Sequence, residues 1–203
     1  FVDPQGSDAG PAGQFFKNNL AEAKKLFDAG GLSGQTVNFI YTNGYGQAHM
    51  DEALVVADQL QKAGLKLNVQ MQDYLTKFLP AAGKGSWGGG EYEGLIFGLK
   101  GGYPHPYQHY NLNLFSGGTF NTSGQNDSQL DANIAKLGEE FNEAEQLKQS
   151  NDIQRYAMDK QYWSPLIANY VYSIAQPWVQ NHRLNNLYQR DAEAVMWFKD
   201  KKG

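Results

Sequence analysis

This 203-residue sequence predicts an α/β fold, a mixed sheet flanked by helices. Two observations carry the prediction. From Val37 to Met71 apolar residues alternate, then recur at helical spacing, then alternate again, which is the pattern of a strand–helix–strand unit. Beyond Asp127 two helical patterns follow one another, and the tail returns to β-rich composition.

Taken in order, the opening FVDPQGSDAGPAGQ is rich in proline and glycine and aperiodic, so residues 1–16 read as a linker or extended lead-in. Asn18 or Asn19 can cap a helix through LAEAKKLFDA, with Leu20, Ala23 and Phe27 on one face and Gly30-Gly31 ending it. Val37, Phe39 and Tyr41 alternate with other residues in TVNFIY, a strand, and the turn TNGYG follows. From Gln47 to Ala63 the residues Met50, Leu54, Ala57 and Leu60 hold helical spacing, and Gly64 stands where a left-handed cap is wanted. Then LKLNVQM alternates, with Leu65, Leu67, Val69 and Met71 opposite Lys66, Asn68 and Gln70. Two strands joined by a helix are expected to be parallel, with a right-handed crossover.

A short helix in DYLTKFLPAAGK leads through GSWGGG to a third strand near EGLIFGL. The stretch GLKGGYPHPYQHYNLNLF, residues 98–115, is wet and aromatic, and Pro104 and Pro106 bracket His105, which argues against a regular helix there. SGGTFNTSGQND is a loop by composition. Of the two helices after it, the first puts Leu130, Ile134, Leu137, Phe141 and Ala144 on one face. The second opens at Asp152, carries Ile153, Tyr156 and Ala157, and stops at Ser164-Pro165. PLIANYVYSIAQPWV and AEAVMWF read as β-rich segments separated by NHRLNNLYQR.

Composition excludes some functions. Seventeen basic against 21 acidic residues give a net charge of −4 without long runs of either sign, which argues against a nucleic-acid backbone or an anionic membrane as the main partner. No stretch approaches the roughly 20 apolar residues of a membrane span. Phe1 opens no signal-peptide pattern, so any export signal is expected to have been removed already. Without cysteine there is no disulfide, thiolate metal site or cysteine nucleophile.

Candidate chemistry is thin. Gly44-Tyr45-Gly46 lies between a strand and a helix, with Asp73 just past the second strand, the placement of a dinucleotide site. His49, however, stands where the third glycine belongs. Gly83, Gly85 and Gly88 complete a G-x-G-x-x-G, but with a helix before it and a strand after it, the wrong order for a pyrophosphate. His105 and His109 are four apart, without a nearby carboxylate or cysteine to complete a metal shell. Ser86 has Lys84 where a nucleophile elbow needs glycine, and the acids of GEEFNEAE read as a solvated helix face. No catalytic apparatus, cofactor or metal is expected.

The order of parts resembles the family 5 extracellular solute-binding proteins, the peptide and oligopeptide receptors of ABC importers. NNLAEAKKLFDAGG is similar to their "DPEKAKKLLAEAG" helix, and Leu60 with Gly64 to Val69 resemble the "L-x-x-x-G-I-x-V" step. YEGLIFGLKGGYPHP resembles their "FD" strand and "W-x-x-D-Y-P-D-P" segment. NDIQRYAMDKQYWSPLIANY is similar to the "D-x-x-x-R-x-x-x-Y-x-x-x-Q" helix ending in "A-P-x-I-P", through Arg155, Tyr156 and Pro165, and AVMWFKDKK looks like the usual terminus.

The resemblance implies a periplasmic-binding-protein-like lobe over residues 17–175, in the C-terminal part of a two-lobed receptor. Residues 176–203 then return toward the other lobe from Pro177-Trp178. It also implies an extracytoplasmic location, a small-molecule, oligopeptide or oligosaccharide solute, an ABC permease as partner, and membrane contact only through that permease or a lipid anchor. Ligands of open α/β lobes gather beyond the carboxyl ends of strands, where residues 98–115 are expected. Leu99, Tyr103 and Tyr107 are the expected contacts, with Asn43 and Tyr45 as a second set. Gly102 matches the aspartate that pairs with a peptide's α-ammonium, Leu99 matches the tryptophan, and His105 matches the second aspartate. These departures weaken the expectation of a peptide. The alternatives are a nucleotide-dependent enzyme using Gly44, Gly46 and Asp73, and an interaction module without a small ligand.

Overall fold

The computed structural model describes residues 2–80, 85–87, 90–101, 103–166, 174–182 and 195–199. Helix α1 (Leu20–Ala29) starts at Asn19, whose side chain accepts the Glu22 N–H, and ends at Gly30. Strand β1 (Thr36–Thr42), helix α2 (Gln47–Lys62) and strand β2 (Lys66–Gln72) follow as the periodicity predicts. The two strands are parallel, with Thr36 opposite Lys66 and Thr42 opposite Gln72. Strand β3 (Leu95–Ile96) joins the other side of β1, also parallel, giving the order β2-β1-β3. Gly94 makes that approach possible. Its φ is +108°, and a Cβ there would lie 2.4 Å from the Asn38 carbonyl oxygen.

Because β1 is central, both of its faces are covered. Phe39 packs on Ala53 and Ala57 of α2, small residues that let the helix sit close to the sheet. Ile40, on the opposite face, packs on Phe78 and Trp87. Asn38 shares that second face, and its side-chain oxygen accepts from the amides of Asn68 and Gln70, so the polar positions of β2 find partners across the sheet. The helix expected after β2 is a single π-type turn, Tyr74–Phe78, capped by Asp73.

Residues 106–160 build a second core from three helices. Helix α3 (Pro106–Asn113) occupies part of the stretch read as irregular, and the correction has a simple cause. Pro106 is at the first helical turn, where its missing N–H costs no hydrogen bond and its fixed φ suits a helix. His105 is the cap, its Nδ1 accepting the Tyr107 N–H at 3.2 Å. Helix α4 (Ser128–Glu139) ends earlier than the sequence reading, and α5 (Glu143–Lys160) opens nine residues before Asp152. Asn142 caps α5 through the N–H groups of Ala144 and Glu145. Phe141 therefore lies in the link, 91% exposed, and not on the apolar face of α4. Leu130, Ile134, Leu137 and Ile153, with Tyr110 and Leu114, form the closed centre of this layer.

The lead-in is not extended. Ser7–Phe16 forms two 3-10 stretches joined at Gly10, burying Ala9 and Ala12. It is tied to α5 by the Arg155 Nε–H, which donates to the Asp8 carbonyl at 2.8 Å, and by the Val2 N–H, which donates to Gln154 Oε1. Near the end of the chain β4 (Val179–Gln180) and β5 (Trp197–Phe198) pair antiparallel, in a sheet separate from the parallel one. The β-rich reading of Ile167–Ser173 and the separator from Arg183 to Arg190 lie outside the described residues.

Candidate functional site

Three parallel strands point their carboxyl ends to one edge, so the segments after Thr42, Gln72 and Ile96 emerge side by side. Asn43, exposed, fixes two of them together: its Oδ1 accepts the Tyr74 N–H at 3.2 Å. Gly44 lies under the Tyr74 ring, where a Cβ would come within 2.2 Å of Cγ. Tyr45 is half-buried and meets His49 at 4.9 Å, Tyr74 at 5.2 Å and Phe78 at 6.0 Å between ring centres, all edge-on. Burial, reinforced by Tyr74, pushes the Tyr45 hydroxyl pKa up. Phe78 in turn stacks on Trp87 at 5.8 Å and 10°.

This arrangement leaves the dinucleotide reading little room. A ring covers the Gly44 turn, and His49 is buried and stacked on Phe97 at 4.7 Å. Burial lowers the His49 pKa, partly opposed by Glu52 and the Phe97 backbone. Asp73 is engaged by the Thr76 N–H and hydroxyl, which hold its pKa below the usual value. Gly85 packs tightly under Pro80, and Gly83 and Gly88 lie outside the described residues.

The row of rings continues through Lys100. Its ammonium sits 4.2 Å from the centre of the Trp87 ring and 4.7 Å from that of Trp163, a cation between two indoles. Nζ donates to the Phe120 carbonyl at 2.8 Å and to Thr122 Oγ1 at 3.3 Å. Tyr92 holds the same loop by donating to the Thr122 carbonyl at 2.7 Å. Burial brings the Lys100 pKa down to about 8. His109, on α3, lies edge-on to Trp163 at 5.9 Å and tilted on Tyr103 at 5.6 Å. Burial first, and Lys100 second, lower its pKa.

Of the expected contacts, Asn43 and Tyr45 stand together at the strand ends. Tyr103 is half-buried beside His109, Leu99 is 43% exposed, and Gly102 lies outside the described residues. Tyr107 is placed apart from them. Its ring packs over Gly138, where a Cβ would lie 2.6 Å from Cε2, and it belongs to the edge of the helical core. Sequence reasoning misses Tyr74, Trp87 and Trp163; of Lys100 it gives only the sign, wrong for a cationic ligand end two residues from Gly102. The two tryptophans are far apart in the chain and follow no shared pattern; a lone lysine inside a glycine-rich aromatic stretch was the available signal.

Other candidates carry less. A groove of about 190 Å³ between His105, Leu137, Glu143 and Ser150 has mostly apolar walls. His105 spends one ring nitrogen on its cap, and among the described residues no three His, Asp or Glu side chains are grouped to hold a metal.

Comparison with known proteins gives a consistent result. Residues 2–121 match the model of the bacterial extracellular solute-binding proteins, family 5, middle region. None of the curated protein sequences matches. Among solved structures, the chain is similar to the periplasmic murein tripeptide binding protein MppA in its unliganded open form, with 22% identity and a TM-score of 0.61 over 80% of this chain and 31% of that one. NikA from Staphylococcus aureus, solved with Ni(L-His)2, gives 19% identity and 0.61 over 72% and 30%. The oligopeptide-binding protein AppA from Bacillus subtilis, solved with a nonapeptide, gives 17% and 0.55 over 72% and 31%. The chain thus spans about a third of the length of these proteins, and the likeness is one of fold.

Proposed function

This chain belongs to the bacterial extracellular solute-binding proteins of family 5, and from that premise we propose that it forms one lobe of an ABC-importer receptor. In this reading the full-length protein works outside the cytoplasmic membrane, closes two lobes on a polar solute and presents it to a permease. The observation that carries the proposal is the row from Tyr45 through Phe78, Trp87, Lys100, Trp163 and His109 to Tyr103, adjoining the carboxyl ends of three parallel strands. The half-buried rings of Tyr45 and Tyr103 supply stacking faces, Asn43 and the tyrosine hydroxyls supply polar contacts, and the strand ends with the buried Phe78 and Trp87 support them.

Relatives of this fold were solved with a nonapeptide and with a nickel–histidine complex, so the solute class must be argued from this chain's own residues. Gly102 stands where the family resemblance puts an ammonium-pairing aspartate. A buried ammonium without a partner costs several kcal/mol, so the proposed receptor does not require a free α-amino group. The test is a thermal-shift screen of the full-length protein against free and N-acetylated oligopeptides, neutral oligosaccharides, nickel–histidine, NAD and ATP. A saturable rise in Tm with one of the first four classes supports the receptor. Stabilisation by NAD or ATP alone supports the nucleotide enzyme instead, and stabilisation by free-amine peptides alone removes the argument from Gly102.

A further inference from the structure

We propose that Lys100 is the charge-reading residue of this receptor and that its solute carries a carboxylate, met by the Lys100 ammonium beside Trp87 and Trp163. The proposal rests on the receptor reading and adds the chemical class of the solute.

Three observations carry it. Lys100 is four residues past the end of β3, and its ammonium lies over Trp87, which stacks on Phe78 next to Tyr45 at the strand ends. Its positive charge is balanced by no described carboxylate. The ion pairs of the described residues join Lys25 to Glu22, Lys62 to Asp58, and Lys148 and Arg155 to Asp152, all on exposed helix surfaces. A half-buried ammonium held by two neutral acceptors and two indole faces has given up water without gaining an anion, and a carboxylate entering the site would supply one. Finally, two of the three ammonium hydrogens have protein acceptors, and no described acceptor takes the third. A carboxylate at this place meets a cation with hydrogen-bonding capacity to spare.

The cluster also fixes how binding depends on pH. The titratable groups around the ammonium are His109 on α3 and, through the Thr122 loop, Tyr92. The His109 pKa is lowered and that of Tyr92 is raised, so neither changes charge between pH 7 and 9. Lys100, brought down to about 8, does. Carboxylate binding is therefore present below that value and lost as pH rises through it.

The experiment uses full-length protein and two pairs of probes differing only in the anion: N-acetyl-trialanine against its C-terminal amide, and tri-galacturonate against its methyl ester. The pairs separate a peptide carboxylate from an acidic sugar. The expected result is that one acid binds at least roughly tenfold more tightly than its neutral counterpart at pH 7, the scale of a charged hydrogen bond. That preference disappears in Lys100→Gln and fades in the wild type by pH 9. Because Lys100→Gln also loosens the Phe120–Thr122 loop, Lys100→Arg is the second variant: it stays charged, keeps the preference, and keeps it at pH 9. Equal binding of acid and neutral partner, a preference that survives in Lys100→Gln, or no binding of either acid overturns the proposal. Neutral probes that bind without a charge preference leave the receptor reading standing. Failure of every solute class in the wider screen removes both.

Discussion

Leu130, Ile134, Leu137 and Ile153 of the helical layer are at most 1% exposed, whereas Leu54, Val55, Val69, Met71 and Leu75 around the sheet are between 37% and 76% exposed. The three helices close their core on themselves, with Phe141 and Leu147 as the outward exceptions. The sheet has three strands, one of them two residues long, and β2 stands at its edge, so only β1 is covered on both sides. The difference teaches a division of labour. The helical layer is closed at its centre, while the sheet buries Phe39, Ile40, Ala53 and Phe78 around β1 and leaves its outer positions open. Exposed apolar residues at a sheet edge are also what a neighbouring element would bury.

The largest contrast is expected from a pair of truncations. Ile134→Ala removes a fully buried side chain and is expected to cost about 2–5 kcal/mol in urea unfolding, while Met71→Ala, at a half-open position, stays within about 0.5 kcal/mol. Similar costs at the two positions would mean that the sheet face is as closed as the helical one. Next in size is Gly94→Ala, expected to cost about 1–3 kcal/mol, because it combines an unfavourable φ of +108° with a clash on the Asn38 carbonyl. A neutral result would show that β3 does not pair closely with β1.

Asp127 sharpens the helical side. It caps α4 through the N–H groups of Gln129 and Leu130, and its other oxygen accepts the hydroxyls of Tyr162 at 2.6 Å and Tyr156 at 2.9 Å. Asp127→Ala is expected to cost about 1 kcal/mol, the usual scale of a lost cap. The Tyr162 hydrogen bond, with the others, holds the Asp127 pKa down to about 2, and pushes Tyr162 up to about 12. A depressed carboxylate stabilises above its unfolded value, about 3.9, and loses that contribution as pH falls toward 2. Wild type and Asp127→Ala should therefore converge in stability across that window, and a constant gap would contradict the assignment. The smallest effect is Lys62→Ala. Its pair with Asp58 is exposed, so a change below about 0.5 kcal/mol is expected, shrinking further in salt.

Much of this fold was legible in the sequence wherever one periodicity acted alone. The alternation of Val37, Phe39 and Tyr41 and of Leu67, Val69 and Met71 anticipated two parallel strands, and Gly64 marked the end of α2. Where two signals overlap, the pattern misleads. Phe141 and Ala144 continued the apolar phase of α4, hiding the break that Glu140 and Asn142 make by capping backbone N–H groups. Pro106 suggests a helix breaker by residue type, although position decides its effect and it sits in the first turn. At the candidate site the contributions of Asn43 and Tyr45 were visible because they follow a predicted strand. The meeting of Trp87, Lys100 and Trp163 was not, since it depends on the docking of the sheet against the helical layer, a tertiary event without local signature.

The most direct test of the central claim is hydrogen exchange on the full-length protein, with and without a solute that stabilises it in the screen. If solute is met at the carboxyl ends of the strands, exchange slows in residues 43–46, 74–79 and 97–109. Protection confined to the opposite edge, residues 30–36 and 62–66, or to the outer face of α4 and α5, would contradict the account.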